Sequence, residues 1–415
     1  MNQLTELLTN YGPLYEIWWD GAGSADTPYD WGRWAYTVRN YQPEAAIFGS
    51  IGAAPYVELR WVGNESGYAG DPCYETIDYE SLRQENTKVL NSGVSGGALF
   101  VPAESDVSIR PGWFYHESQD SQAKKPEELV RIWYQSVGRG GMLLMNFPPN
   151  REGLLPEQDT ANAICAHEMI ARMLSVNLAA GGTALSLEER CEGCEAQNLL
   201  DPSEDTFFAA ASDAEKPVVH IRLPEKKKFN TLILGEYLPM GVRVTGWWIS
   251  AKVDGQWSVL ADKKSIGYLW AEYVGEVCTD ELRLEFYEFL APPVLRRFSL
   301  HHMEIDPFRE QTDTGAERDL TAGENAQIHY TADGAEADFG GIYSFHRLVF
   351  RGEGIDRYRL EAFDGSKYYT VAEGVCTDAE QSIRLEKPVE GSYRIRLITG
   401  RPGDESLGLH IFGAE

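Results

Sequence analysis

The hydrophobic pattern changes period near Val176, and this change limits the fold more than any other feature of the chain. Before it, short apolar runs alternate with helical stretches, the order expected of an α/β fold. The strand candidates are Leu14–Trp19, Ala45–Gly49, Ala98–Val101 and Met142–Asn146. Helices are expected around Asp30–Asn40, Tyr79–Leu90, Pro126–Val137 and Pro156–Leu174. Each strand is short, apolar on both faces and followed by Gly or polar residues. That suits parallel strands buried between helices, with loops at their C-terminal ends. Met1–Leu8 places Leu4, Leu7 and Leu8 at i, i+3 and i+4, an amphipathic helix and not a secretory signal. A closed (β/α)₈ barrel requires eight strands and usually about 250 residues. Four units therefore describe either a small open sheet or part of a barrel.

After Val176 the runs become alternating or β-branched. They are Val218–Leu223, Thr231–Leu234, Thr245–Lys252, Gln256–Leu260, Leu282–Glu288 and Phe298–His302. Val253-Asp254-Gly255 is a hairpin signal, and the whole reads as an antiparallel β-sandwich over residues 176–308. Arg309–Glu324 is polar and charged, as a linker would be. A second sandwich-like segment follows, so the expected domains are 1–175, 176–308 and 309–415.

Composition excludes some classes of function. The formal charge of -27 repels phosphate backbones and argues against nucleic acid as a partner. No stretch approaches the roughly 18 apolar residues of a membrane helix, so no membrane partner is expected. Eleven Trp and twenty-one Tyr suit stacking on sugar rings as well as core building. Trp247, Trp248, Trp257 and Trp270 are candidates for a sugar platform or for core packing. The six cysteines show no disulfide framework. Cys191 and Cys194 form a lone CxxC without a second pair or nearby His, so no metal site is expected.

Two acids carry the chemical reading. In Tyr15-Glu16-Ile17-Trp18-Trp19-Asp20-Gly21-Ala22 an apolar strand ends in an acid and a glycine turn. Asp20 then stands at the C-terminal rim of the sheet, where it can act as a nucleophile or simply cap a turn. Arg60-Trp61-Val62-Gly63-Asn64-Glu65-Ser66-Gly67-Tyr68 forms a long loop after the next predicted strand. Between Trp61 and Tyr68, partial desolvation would raise the pKa of Glu65, as a proton donor requires; the other reading is an exposed loop acid. Two carboxylates at one rim are the minimum for glycoside hydrolysis.

IWWDGA followed by RWVGNESG resembles the nucleophile strand and acid/base loop of glycoside hydrolase family 29 α-L-fucosidases, in the branch preferring α-1,3/1,4-linked fucose. The blocks Val101–Tyr115 and Leu144–Gly153 strengthen the likeness. The resemblance implies that Asp20 is the nucleophile and Glu65 the acid/base of a retaining reaction, with carboxyls about 5–5.5 Å apart. It implies sugar contacts from Trp18, on the same side of its strand as Asp20, and from Trp61, Glu104, Asp106 and Trp113. Arg110 is expected either to touch sugar or to pair with Glu104 or Asp106. His116 is expected to be peripheral, and Asn146–Asn150 to form a rigid structural loop.

The implied fold is multidomain: the C-terminal portion of a (β/α)₈ TIM barrel followed by two β-sandwich domains. The implied partner is a fucosylated oligosaccharide or glycoconjugate, and neither metal nor organic cofactor is required. The resemblance implies further strands before the nucleophile strand, with histidines that grip fucose, and this sequence is expected to lack them. The chain is therefore expected to need that half of the barrel from elsewhere, and to aggregate without it. The alternative is a non-catalytic carbohydrate-binding protein with a vestigial barrel fragment.

Overall fold

The computed structural model describes residues 2–20, 29–49, 51–83, 86–187, 192–309, 318–322, 327–351, 354–363, 368–376, 380–404 and 407–414. Gly21, Ala22 and Cys191, named above, lie outside these. The chain divides into two compact units, Met1–Phe308 and Arg309–Glu415.

The first unit begins with a five-stranded parallel sheet, Glu16–Trp19, Ala46–Gly49, Leu59–Trp61, Ala103–Ser108 and Met142–Asn146. Spatial order follows chain order, and every pairing is parallel. This is the winding of a curled half-barrel. The sequence suggested four strands, and two assignments change. Leu59–Trp61 is a strand of the sheet. Leu99–Phe100 is not; it pairs antiparallel with Thr76–Ile77 in a separate ribbon. The sheet strand there is Ala103–Ser108, whose polar alternation hid it.

Helices cover the outer face. Trp31–Tyr41 starts at Asp30, whose side chain accepts from Arg33 N at 3.1 Å, and Trp31 and Trp34 pack on Trp19. The helix Asn2–Asn10 buries Leu8 but leaves Leu7 exposed. Gln42 holds its end, donating to Leu8 O at 2.8 Å and Gly12 O at 2.9 Å. The span Tyr79–Leu90 is two short helices, Tyr79–Arg83 and Thr87–Ser92. Pro126–Gln135 opens with Pro at its first turn and Glu127 and Glu128 at the positive end of its dipole. Arg60 points to this outer side, fully buried, and donates to the carbonyls of Leu90, Val101 and Tyr74.

The antiparallel part of this unit is one seven-stranded sheet. Its order is Gln256–Lys263, Val244–Val253, Trp270–Phe289, Val218–Glu236, Val294–His301 and Phe208–Ala209, with Thr183–Leu185 added on Val218–Glu236. The hairpin at Asp254 and Gly255 forms with φ of 50° and 81°, both left-handed. Val218–Leu223 and Thr231–Leu234 belong to one long strand. Its pairing skips from Arg222 to Lys227, and the irregularity accommodates Pro224, which has no N–H to offer. Trp247 and Trp270 are buried in the core and cannot form a sugar platform. Trp248 packs on Tyr287, and Arg283 lies over the ring of Trp257.

The buried carboxyl of Glu75 joins the two parts of the unit, near Glu236 of the antiparallel part. Tyr268 N donates to Glu75 Oε1 at 2.7 Å, while Gly267 N donates to Glu236 Oε2 at 2.9 Å. Gly267 turns at φ 64°, and a β-carbon there would collide with the Glu75 carboxylate. Arg243 N and Val244 N also donate to Glu236. Tyr134 of the helical layer shares a 2.7 Å hydrogen bond with Thr231 of the antiparallel sheet.

In the second unit, seven strands form another antiparallel sheet. Its core includes Phe345, Leu348, Phe350, Leu360 and Leu397. Part of the expected linker belongs to this sheet: Arg318–Asp319 pairs with His410–Ala414, and Leu320 is buried.

The junction carboxyls give a pH dependence. Burial pushes Glu75 up to about 6 and Glu236 up to about 8, against 4.5. The native state then holds protons that the unfolded chain releases, so stability is fullest below the unfolded value and falls as pH rises through the folded ones. The unfolding free energy from urea titration is expected to decline between pH 5 and 8, by at most about 1.4 kcal/mol per pH unit for each carboxyl. Glu236→Gln should flatten that decline; a variant with the wild-type slope would contradict the assignment.

Candidate active site

The inner face of the parallel sheet carries acids where an ordinary core would carry aliphatic side chains. Trp18, on the first strand, donates from Nε1 to Glu104 Oε1 on the fourth at 2.7 Å. This bond reaches past two intervening strands, so it follows the concave side of the curl. The Trp18 ring also stacks on Phe48 of the second strand, with centroids 4.3 Å apart and planes 5° from parallel. Trp61, at the end of the third strand, donates from Nε1 to Asp106 Oδ1 at 2.8 Å. Trp19 alternates to the helical side and is buried there.

Both inner acids are buried. Desolvation pushes the Glu104 carboxyl up to about 8; the nearby charge of Glu16 adds to this, and the Trp18 N–H opposes it. Glu104 also hydrogen-bonds Glu16, so a proton on this pair of carboxyls is shared between them. Asp106 is also raised, first by burial, with the Trp61 indole opposing and the charges of Glu65 and Asp20 adding to the rise. Asp106 thus feels Asp20 from the end of the first strand and Glu65 from the loop after the third.

Asp20 follows Trp19 directly and is exposed at the C-terminal end of its strand. Glu65 sits on a tight turn between Gly63 (φ 78°) and Gly67 (φ 79°). Asn64 Oδ1 accepts from Ser66 N at 3.0 Å, and Asn64 Nδ2 donates to Tyr68 O at 2.9 Å. Ser66 bridges to Val107 in the strand that carries Asp106. The loop is therefore fastened to the sheet. Glu65 itself is exposed, and the expected enclosure by Trp61 and Tyr68 is not what surrounds it. The ring that reaches it is Trp113, whose Nε1 donates to Glu65 Oε2 at 2.9 Å.

Arg110 is placed elsewhere. Its side chain is fully buried and forks onto Asp159, with Nε to Oδ2 at 2.7 Å and Nη2 to Oδ1 at 3.0 Å. Nη1 donates to Asp120 Oδ1 at 2.8 Å and to His116 O at 3.3 Å. It pairs with neither Glu104 nor Asp106, and four of its five N–H donors are taken by Asp159, Asp120 and His116 O. It anchors the turn that ends in Trp113. His116 is exposed and contributes its carbonyl.

Sequence reasoning missed Glu16, Asn146 and Asp159 as parts of this arrangement. The period of two along Glu16-Ile17-Trp18 was the available signal for Glu16. Asn146 pairs in register with Ser108, a contact that required the fourth strand to be recognised. Nothing local points from Asp159, inside the helix Glu157–Leu174, to Arg110.

Two outcomes are expected. Asp159→Ala leaves a buried guanidinium with only Asp120 and should cost about 3 kcal/mol in denaturant unfolding. Trp61→Phe removes a donor that favours the ionised form, so the Asp106 carboxyl should titrate higher still in carbon-detected NMR. An unchanged titration would show that the indole bond does not act on Asp106.

A sequence model described as alpha-L-fucosidase matches residues 1–167. The α-L-fucosidase 1 of Arabidopsis thaliana is 33% identical over 277 residues, 64% of this chain and 54% of the plant protein. The chain thus spans about half the length of the curated relatives it matches. A solved structure from Bacteroides thetaiotaomicron assigned to the α-L-fucosidases is 36% identical, with a TM-score of 0.70 over 72% of this chain and 67% of that one. A glycoside hydrolase 29 family member from an unknown rumen bacterium covers 97% of this chain and 72% of its own, at 24% identity and a TM-score of 0.63, a likeness of fold alone. With these likenesses converging on the half-barrel that bears the acids, the chain belongs to the glycoside hydrolase family 29 α-L-fucosidases.

Proposed function

We propose that this protein takes part in retaining hydrolysis of terminal α-1,3/1,4-linked L-fucose on oligosaccharides or glycoconjugates. Asp20 attacks the anomeric carbon while the bond to the leaving oxygen breaks, and Glu65 gives that oxygen a proton. The product is a β-fucosyl ester of Asp20. Glu65, now a carboxylate, takes a proton from water, and the water displaces Asp20 with overall retention. Trp18, Trp61, Glu104, Asp106 and Trp113 line the substrate side. Glu104 and Asp106 offer acceptors to sugar hydroxyls.

The observation that supports this reading is that Asp20 follows the first parallel strand while Glu65 follows the third, on a loop bridged through Ser66 to the strand of Asp106. Two acids on separate elements at the ends of parallel strands suit a glycosidic bond held between them. Names of the relatives supply the sugar, and the preference for α-1,3/1,4 linkages rests on the motif likeness. The five parallel strands are read as part of a (β/α)₈ barrel, with a β-sandwich over 176–308 and another over 309–415. The half of the relatives that this chain does not match is read as the source of further grip on fucose.

The test is release of 4-nitrophenol from its α-L-fucoside, by the chain alone and together with the unmatched segment of those relatives. Asp20→Ala should lower kcat by about 1,000-fold or more, and added azide should restore turnover with β-fucosyl azide as product. Glu65→Ala should lose least with this good leaving group and most with a disaccharide. Release that survives Asp20→Ala intact, or an α-azide product, would end the reading. No release under either condition would favour a binding protein instead.

A further inference from the structure

We propose that Asn146 is a positioning residue for Glu65, acting through the indole of Trp113. The proposal rests on the reading of Glu65 as the acid/base, and its geometry can be tested separately from that reading.

Glu65 is exposed, and a hydrogen bond between exposed groups holds a side chain weakly unless its partner is fixed. The Trp113 partner is fixed from behind. Asn146 ends the fifth strand of the parallel sheet and pairs in register with Ser108 of the fourth. Its Nδ2 carries two hydrogens, and both are used: one goes to Trp113 O at 3.0 Å, the other to Ser108 Oγ at 3.0 Å. The Ser108 hydroxyl donates to Gly112 O at 2.8 Å and accepts from Arg110 N at 3.3 Å. Ile109 N donates to Asn146 O at 3.0 Å, so the strand end and the turn grip each other from both sides. Arg110, inside the turn, is locked on Asp159. The short segment Ser108–Trp113 therefore has few ways to move, and it presents the Trp113 N–H to Glu65.

The chemistry follows from which oxygen is occupied. The indole N–H binds Glu65 Oε2 as an acceptor. An acceptor engaged in this way holds the carboxyl rotamer and leaves Oε1 to carry a transferable proton. Asn146 touches neither Glu65 nor any reacting atom, yet its two hydrogens decide where the indole stands. Without them the Trp113 carbonyl and the Ser108 hydroxyl lose their shared donor, and the ring is free to swing from the carboxylate.

The experiment uses the full chain with tryptophan indoles labelled with nitrogen-15, titrated from pH 3 to 8. Trp113→Phe identifies the Trp113 signal by its disappearance. Glu65→Gln should abolish the titration step of that signal, which reports the carboxylate beside it. Asn146→Ala should remove more than half of the same step while the Trp18 and Trp61 signals stay in place as controls on the fold. Should those controls also move, Ser108→Ala takes the place of Asn146→Ala; it should weaken the step in the same sense, since Asn146 then keeps only one of its two acceptors. A full wild-type step in whichever of these variants keeps the controls in place overturns the proposal. That outcome would leave the hydrolase reading untouched, whereas failed azide rescue at Asp20 would sink the hydrolase reading and leave this coupling standing.

Discussion

The site depends on one constraint: carboxyl groups buried on the concave side of a parallel sheet require donors that do not cancel their charge. Indole N–H groups meet that requirement. Trp18 serves Glu104 and Trp61 serves Asp106, and on the exposed loop Trp113 serves Glu65 in the same way. An indole satisfies an oxygen and adds a flat apolar ring, but it contributes no positive charge. Glu104 and Asp106 therefore stay raised by burial and by like charges, where an arginine would have pulled them down. The arginines of this region do other work. Arg60 gathers backbone carbonyls on the helical side, and Arg110 is spent on Asp159 and Asp120. Keeping guanidinium groups off the inner face leaves the upward push of burial on its acids without a cationic counterweight.

A similar logic governs the junction with the first antiparallel sheet. Glu75 and Glu236 accept from the adjacent N–H groups of Tyr268 and Gly267. Each carboxyl satisfies backbone that a turn leaves unpaired, which would otherwise be costly in a buried place. The Coulombic effect of Glu75 on Glu236 is one reason the second is raised. The parallel and antiparallel parts of Met1–Phe308 are thus joined by buried polar groups as well as by apolar packing. Small movements at this junction would leave several polar atoms unpaired at once.

Much of the outer architecture was legible in the chain because it follows hydrophobic period. The helix Trp31–Tyr41, the strand Glu16–Trp19 and the hairpin at Asp254-Gly255 are examples. The inner face was harder to read for a physical reason. Ala103–Ser108 reads as Ala-Glu-Ser-Asp-Val-Ser, polar where a parallel strand is expected to be apolar, because one face meets a polar concavity. Leu99–Phe100 looked more like the sheet strand and is not, since apolar character is shared by any ribbon packed on the core. Leu59–Trp61 is too short for its period to register. Arg110 was read next to Glu104 and Asp106 because they are close in sequence. The alternation of the strand sends the acids inward, and the turn after it sends the arginine to a helix. Asp20 and Glu65 were singled out by motif; their common influence on Asp106 could not be read without the third strand.

The two rim acids are held by different means, and this bears on how a site of this kind can be accurate. Asp20 follows its strand immediately, so the sheet's own hydrogen bonds fix its position. Glu65 lies on a loop, where backbone freedom is ordinarily greater. That freedom is removed in two places: at the base by the Ser66–Val107 bridge, and at the side chain by Trp113. Both restraints lead back to the fourth strand, through Val107 in one case and through Ser108 in the other. The strand that carries Glu104 and Asp106 is thus also the reference against which the loop acid is set. A displacement of this strand would move the inner acids, the Glu65 loop and Trp113 together, so their relative geometry would outlast a shift of the whole group.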